Sequence, residues 1–233
     1  MMIFESNINE IRIILSLAML GCATYWDLKS REISDFLWIV FGGISVVLIF
    51  FTPNLTNTLV TIGISMIIAP IAIILWRLGL FGGADAFGLI VLAALSPQLS
   101  FSSGFVTPLT TLTNSAILSA VPILLNISRN LIALARKENI FDGFENETRR
   151  NKIFALFLGY RAKNPKFSFS IEKCDGSIKK LDFSLKNADS AEFCSSNDTW
   201  VTPGIPYMIY IASGFVVQIV YGDIIFNFLK ATH

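Results

Sequence analysis

Two aspartates carry the chemistry this sequence could do. Asp85 stands in Phe81-Gly82-Gly83-Ala84-Asp85-Ala86-Phe87-Gly88, where an apolar run restarts after a break. A charged side chain at the edge of such a run costs on the order of 3 kcal/mol if it reaches a bilayer centre, so it requires a partner, a water-filled cavity or a task. Glycines at 82, 83 and 88 put no Cβ in the way of a neighbouring backbone or ligand. The alternative is structural: Asp85 at a helix N-terminus, with the glycines as the turn before it. The second aspartate, Asp27, closes the first apolar run and opens Asp27-Leu28-Lys29-Ser30-Arg31-Glu32-Ile33-Ser34-Asp35. Two carboxylates brought close together resist ionising at once, so one keeps a proton and the pair works as acid and base on a shared water. That suffices to hydrolyse a peptide without a covalent intermediate. The structural alternative pairs Asp27 with Lys29 or Arg31. Asp35 is a weaker candidate because it begins a helix in the usual capping position, and Asp223 falls near the opposite end of the last apolar segment.

Other chemistries lack their residues. The one histidine is His233, the last residue, which leaves no triad, histidine base or HExxH site. Cys22, Cys174 and Cys194 have no CxxC spacing, so neither a zinc site nor a disulfide framework is indicated. No metal or organic cofactor is implied.

The elements that must position the aspartates are membrane helices. Of the 233 residues, 53% are hydrophobic and only 15% charged, against about 25% charged in a soluble domain. A net charge of +1 gives no global field that would attract nucleic acid. Apolar runs at 8–26, 36–51, 59–78, 84–99, 109–135 and 205–229 approach the ~20 residues of a transmembrane helix. The expectation is an all-α polytopic membrane protein of about six spans: residues 1–135 hold helices one to five with both aspartates, 136–203 form a soluble insert, and 204–233 hold the sixth helix. The N-terminus lacks a signal peptide's basic region and cleavage site, so the first run is expected to be retained. Pro70 is expected to kink the third segment, and Asn114 and Asn126 to bond to neighbouring helices. The fourth segment is short, which is expected to put Asp85 in a thinned or water-accessible region. In the insert, residues 167–172 alternate apolar and polar, and Asp175-Gly176 reads as the two-residue turn of a β-hairpin that needs a partner surface, either further strands or the membrane domain on which it would pack as a lid. Residues 141–160 read as an interfacial helix.

Assigning loops alternately puts 16 of the 18 Lys and Arg residues on one side, with only Arg12 and Lys230 opposite. The positive-inside rule makes the loop after segment one, the turn before segment four and the insert cytoplasmic. Asp27 ends an inward helix and Asp85 begins an outward one, so both belong at the cytoplasmic end, at similar depth.

These residues resemble a known family. The run from Asp27 to Phe36 resembles the first catalytic loop of type IV prepilin peptidases, and Gly82-Gly83-Ala84-Asp85 is similar to the Gly-x-Gly-Asp signature of the same membrane aspartyl proteases. The likeness covers roughly residues 10–100 and, more loosely, 203–214. Size, six spans and a cytoplasmic insert point to the archaeal preflagellin peptidase branch. There are departures: Ala84 stands where the signature has its second Gly, Asp35 where the first loop often has Asn, and the paired-cysteine domain of bacterial members is absent, so no methyltransferase activity is implied. The resemblance implies that Asp27 and Asp85 are the catalytic pair of an endopeptidase in the cell membrane. It would remove a short basic leader from flagellin- or pilin-like precursors at the cytoplasmic face, as archaellum assembly requires. Glu32 and Asp35 then stand as attractors of the leader's positive charge or as solvated loop carboxylates, and Gly82 and Gly83 as a substrate approach or merely a turn. The rival classes are a transporter relaying protons or cations through the same aspartates, and a filament scaffold.

Overall fold

Proline and glycine decide where the long apolar runs break. The computed structural model describes residues 2–97, 107–175, 178–183 and 192–232. In chain order the elements are α1 (Met2–Ser30), α2 (Asp35–Ile49), α3 (Leu55–Ser65), α4 (Ile68–Arg77), α5 (Gly83–Leu95), α6 (Thr107–Leu118), α7 (Val121–Ala135), α8 (Arg149–Leu158), β1 (Tyr160–Ala162), β2 (Ser168–Ser170), β3 (Glu172–Asp175), β4 (Ile178–Leu181), β5 (Thr199–Pro203), α9 (Tyr207–Val220) and α10 (Ile224–Ala231). Pro70 lies in the first turn of α4, and the break falls at Met66 and Ile67, because a proline ring clashes with the carbonyl four residues back. Pro122 likewise sits in the first turn of α7, and α6 stops at Leu118. The last segment divides into α9 and α10 at Gly222, with φ of 89°. Asp223 then caps α10, accepting the Phe226 N–H at 2.9 Å.

Among the described residues, three helices are long and apolar enough to cross a membrane, Ile8–Ser30, Leu55–Arg77 and Pro108–Ala135, and α9 with α10 adds a fourth if that pair, bent by 46°, is one span. The other two apolar helices, Asp35–Ile49 and Gly83–Leu95, are shorter. The chain divides into two compact units, Met1–Leu118 with Pro206–His233, and Ser119–Ile205.

In the first unit, α5 is the centre. Ala86, Leu89, Leu92, Ala93 and Leu95 are all buried, and the helix contacts α1, α2, α3, α4, α6 and α9, with Phe87 left exposed. Its thirteen residues reach only ~20 Å at 1.5 Å per residue. Buried Arg12 donates to the Leu95 carbonyl at 2.9 Å and the Ala94 carbonyl at 3.3 Å, placing a cation on the negative end of the α5 dipole. Asn114 bridges α6 to the end of α9 by donating to the Gly222 carbonyl at 2.9 Å. Gly214 lets α9 approach this closely, since a Cβ there would lie 2.7 Å from the Thr111 carbonyl oxygen.

In the second unit, β1, β5 and β2 form an antiparallel sheet in that order, and β3 pairs with β4. The alternating stretch from 167 therefore belongs partly to a different sheet from the hairpin. Asp175 pairs with Ile178, so Asp175 belongs to the strand and the connection is residues 176 and 177, one position later than the sequence suggests. Those two residues, with 98–106 and 184–191, lie outside the described residues. Trp200 is fully buried, donates its indole N–H to the Ile140 carbonyl at 2.8 Å and stacks on Phe141. The interfacial segment is shorter than the sequence suggests: only Arg149–Leu158 is helical, capped by Thr148. Asn126 bonds to that helix as expected, donating to the Phe157 carbonyl at 3.3 Å. Glu147 accepts the Leu181 N–H at 2.7 Å. Its burial pushes the carboxyl up, but that bond and those from Thr148 and Asn151 outweigh it and hold the group below the usual carboxylate range.

Candidate active site

The helix of Asp27 runs one turn further than the apolar run. The structure places Asp27 inside the last turn of α1, which continues to Ser30, and its half-buried side chain faces α9. The start of α9 explains the contact. Pro206 is its N-cap and supplies no side-chain acceptor; its carbonyl accepts the Ile209 N–H at 3.2 Å, and the Met208 N–H is left for another partner. Asp27 Oδ2 supplies one, accepting the Met208 N–H at 3.3 Å, and Thr24, one turn earlier on α1, donates to the Met208 carbonyl at 3.3 Å. An anion on the positive end of a helix dipole is favourable. Lys29 is directed elsewhere, over the rings of Tyr25 and Trp26.

Asp85 occupies the first turn of α5 and is 8% exposed. Its Oδ2 accepts the Gly82 N–H at 3.0 Å, the reach-back half of a capping box. Both aspartates thus sit at positive helix ends, Asp85 at that of its own helix and Asp27 at that of a helix far along the chain. The two helices share a neighbour. Phe81, just ahead of α5, stacks on Tyr207, ring centroids 5.5 Å apart and planes 15° apart, and Gly88 faces Met208 from one turn beyond Asp85. The first turn of α9 therefore contacts Asp27 directly and the helix of Asp85 on both sides of that residue.

The glycines divide by role. The turn after α4 belongs to Gly79, whose φ of 72° suits a helix C-terminus and whose N–H bonds to the Trp76 carbonyl at 2.9 Å, while Leu80 reaches back to Leu75 at 3.1 Å. Gly82 is extended, at φ of −78° and ψ of 166°, a conformation open to any residue. At Gly83 a Cβ would lie 3.1 Å from the Trp76 ring, so a close approach is present there, made by a side chain of the same unit. Glu32 and Asp35 are both exposed. Asp35 is not a cap: Ser34 holds that position, accepting the Phe36 N–H at 3.3 Å, and Asp35 is the first residue of α2.

Met208, Tyr207 and Thr24 were not singled out by sequence. The one signal pointing to them was the Pro203-Gly204-Ile205-Pro206 entry, which marks a helix start without saying what caps it. Among the described residues, no group of three or more His, Cys, Asp or Glu side chains could hold a metal ion. In the second unit, a cleft of about 360 Å³ is lined by Arg129, Tyr160, Arg161, Lys163 and Asp198 among others. Arg161 grips Asp198 through Nε at 2.9 Å and Nη2 at 2.8 Å, and that hydrogen bond holds the Asp198 carboxyl below its usual range.

Comparison with known proteins adds two kinds of match. The model of the type IV leader peptidase family matches residues 14–124, and a model described as archaeal Peptidase A24 C-terminus Type II matches residues 163–224. Together they take in both aspartates and most of the insert. A preflagellin peptidase of Methanococcus maripaludis is 29% identical over 219 residues, covering 89% of this chain and 93% of that protein. The preflagellin peptidase of Methanocaldococcus jannaschii is 26% identical over 216 residues, covering 86% and 89%. That of Methanococcus voltae is 25% identical over 220 residues, covering 89% and 93%.

Proposed function

This chain belongs to the type IV leader peptidase family and is a protease, and from that premise we propose that it is an aspartic endopeptidase acting on preflagellin-like precursors, with Asp27 and Asp85 as its acid and base. The observation that carries the proposal is the convergence of both helix ends on the first turn of α9: Met208 donates to Asp27, while Phe81 and Gly88, on either side of Asp85 in the chain, meet Tyr207 and Met208. One carboxylate takes a proton from water as the water oxygen attacks the scissile carbonyl. The other, protonated, donates to the carbonyl oxygen as charge develops there. The first carboxyl then passes its proton to the nitrogen as the C–N bond breaks, and the second takes a proton back from the gem-diol hydroxyl as the carbonyl re-forms, which restores one shared proton to the pair.

The membrane setting suits a precursor whose hydrophobic helix lies in the bilayer while its basic leader stays outside. Exposed Glu32 and Asp35, between α1 and α2, put negative charge beside the Asp27 end of the unit, where a basic leader would be attracted. The distribution of Lys and Arg supports six spans in the cell membrane with this end cytoplasmic. The transporter reading draws no support from the comparisons. The test is processing of a preflagellin by the purified protein, comparing wild type with Asp27→Asn and Asp85→Asn at equal folded protein. Cleavage by wild type alone sustains the proposal. Cleavage by either variant near the wild-type rate removes that residue from the chemistry.

A further inference from the structure

Among the described residues, the second unit carries an apolar face that its own elements cover only in part, Phe183 reaching Phe154 with ring centroids 6.3 Å apart. On α8, Ile153, Phe154, Phe157 and Leu158 are 55%, 44%, 44% and 42% exposed. They fall at i, i+1, i+4 and i+5, one face of a helix. Arg149 and Arg150 precede the first two by four residues, so two cations stand on the same face one turn nearer the N-terminus. On the other side Ala155 is fully buried in the unit's core. Single exposed apolar residues are ordinary, but four large contiguous ones mark a surface that meets something apolar.

The attachment of α8 says what that is. Asn126 donates to the Phe157 carbonyl at 3.3 Å, and Asn130 donates to the Leu156 carbonyl at 2.9 Å and the Gly159 carbonyl at 2.8 Å. These acceptors are the carbonyls at the end of α8 that lack intrahelical partners. Both asparagines lie on Pro108–Ala135, a helix long and apolar enough to cross a membrane. They precede its end by five and nine residues, about 7 and 13 Å along the axis. At that level Leu124, Leu125, Leu131 and Ile132 of α7 are exposed too, on the faces away from the asparagines. The C-terminal end of α8 is therefore tied alongside a stretch of α7 whose Leu124, Leu125, Leu131 and Ile132 face suits hydrocarbon, while Arg129 and Asn130 border the polar cleft.

We propose that α8 is embedded in the bilayer leaflet at the Ala135 end of α7 and anchors the insert there, with acyl chains covering Ile153, Phe154, Phe157 and Leu158. Its C-terminal turn lies deepest, where the asparagine bonds hold it. Its N-terminal turn rises toward the headgroups, where Arg149 and Arg150 meet lipid phosphates, as long basic side chains do at an interface. The asparagines thus do for α8 what water would do at an exposed helix end.

Depth-dependent quenching on the full chain in vesicles of phosphatidylcholine and phosphatidylglycerol tests this. With Cys22, Cys174 and Cys194 replaced by Ser, an environment-sensitive fluorophore is attached at Ile153→Cys, Phe157→Cys or, as a control, Glu145→Cys. The proposal requires blue-shifted emission at 153 and 157, at least twofold quenching there by lipids nitroxide-labelled on the acyl chain, and no quenching by iodide, with the reverse pattern at 145. Phe157→Trp, read as its difference from the parent protein in brominated and unbrominated lipid, answers the same question with the cysteines intact. Iodide quenching at 157 equal to that at 145 overturns the proposal. Protection of 157 from both quenchers, with energy transfer between labelled copies, also overturns it, because a second chain would then cover the face.

Discussion

Asp85→Asn separates chemistry from capping because the structure bounds the size of the capping role. Asp85 Oδ2 accepts the Gly82 N–H at 3.0 Å, and the Asn carbonyl oxygen offers the same acceptor. What disappears is the charge. The difference between a charge-assisted and a neutral hydrogen bond is about 1 kcal/mol, and a carboxylate in the first helical turn is worth about 0.3–1 kcal/mol more. The lower cost of burying a neutral amide offsets part of this. The destabilisation is therefore about 1–2 kcal/mol at most, a shift of roughly 2–8 °C in Tm for a chain of this size. Loss of a positioned acid or base costs about 100- to 10,000-fold in rate, equivalent to about 3–5 kcal/mol of barrier. The assay is single-turnover cleavage of a preflagellin by purified protein in lipid vesicles, with thermal unfolding followed on the same samples. Asp85→Ala provides the scale, since it leaves the Gly82 N–H without its acceptor, about 1–3 kcal/mol, and should unfold earlier than Asp85→Asn. The reasoning is refuted if Asp85→Asn cuts within about tenfold of wild type, or if the rates of the three proteins simply follow their Tm values.

Asp27→Asn keeps an acceptor for the Met208 N–H and should lose about 100- to 10,000-fold in cleavage, whereas Thr24→Val, which removes only the bond to the Met208 carbonyl, should lose less than about tenfold; parallel rate measurements decide. At Gly88→Ala the new Cβ would stand 3.0 Å from Met208 Cε and 3.2 Å from Trp38 Cη2. Overpacking of about 1–3 kcal/mol exceeds the roughly 1 kcal/mol gained in helix propensity, so cleavage should fall, and adding Met208→Ala should restore part of it. Asn130→Ala strips two carbonyls at the end of α8 of their donor, which should destabilise the second unit by about 1–3 kcal/mol, read as increased hydrogen exchange through residues 149–162 with little change in α5. Asp198 titrates below the ordinary carboxylate value because Arg161 hydrogen-bonds its charged form. Its contribution to stability is complete above pH ~3.9 and lost as pH falls through the lowered value. With the Asp198 side chain 58% exposed, solvent screening keeps the effect small, and Asp198→Asn should flatten that part of the acid unfolding profile.

What could be read from the sequence and what could not divides along the range of the interaction. Pro70 and Pro122 break their helices by a clash with a carbonyl four residues away, Gly79 ends α4 by its own dihedral angles, and Asp223 caps the helix it precedes. Each needs only neighbours in the chain, and each is marked by its residue type. Asp85 belongs to the same class, since its partner is Gly82. The hairpin position slipped by one residue, and Ser34 rather than Asp35 caps α2, because adjacent residues offer nearly equal local alternatives and pairing across the sheet or turn selects between them.

Asp27 belongs to the other class. Its partner is a backbone N–H 181 residues away, and every non-proline residue carries such a group, so no residue type announces it. The sequence holds half of the interaction: Pro206 starts a helix and brings no side-chain acceptor, so an acceptor must come from elsewhere. That incomplete cap also gives the site a physical logic. A carboxylate that meets the N-terminus of α9 is held by a helix end, and α5, whose first turn carries Asp85, packs against the same helix. Under the mechanism proposed above, both carboxyls are placed by helix ends, Asp27 by that of α9 and Asp85 by that of α5.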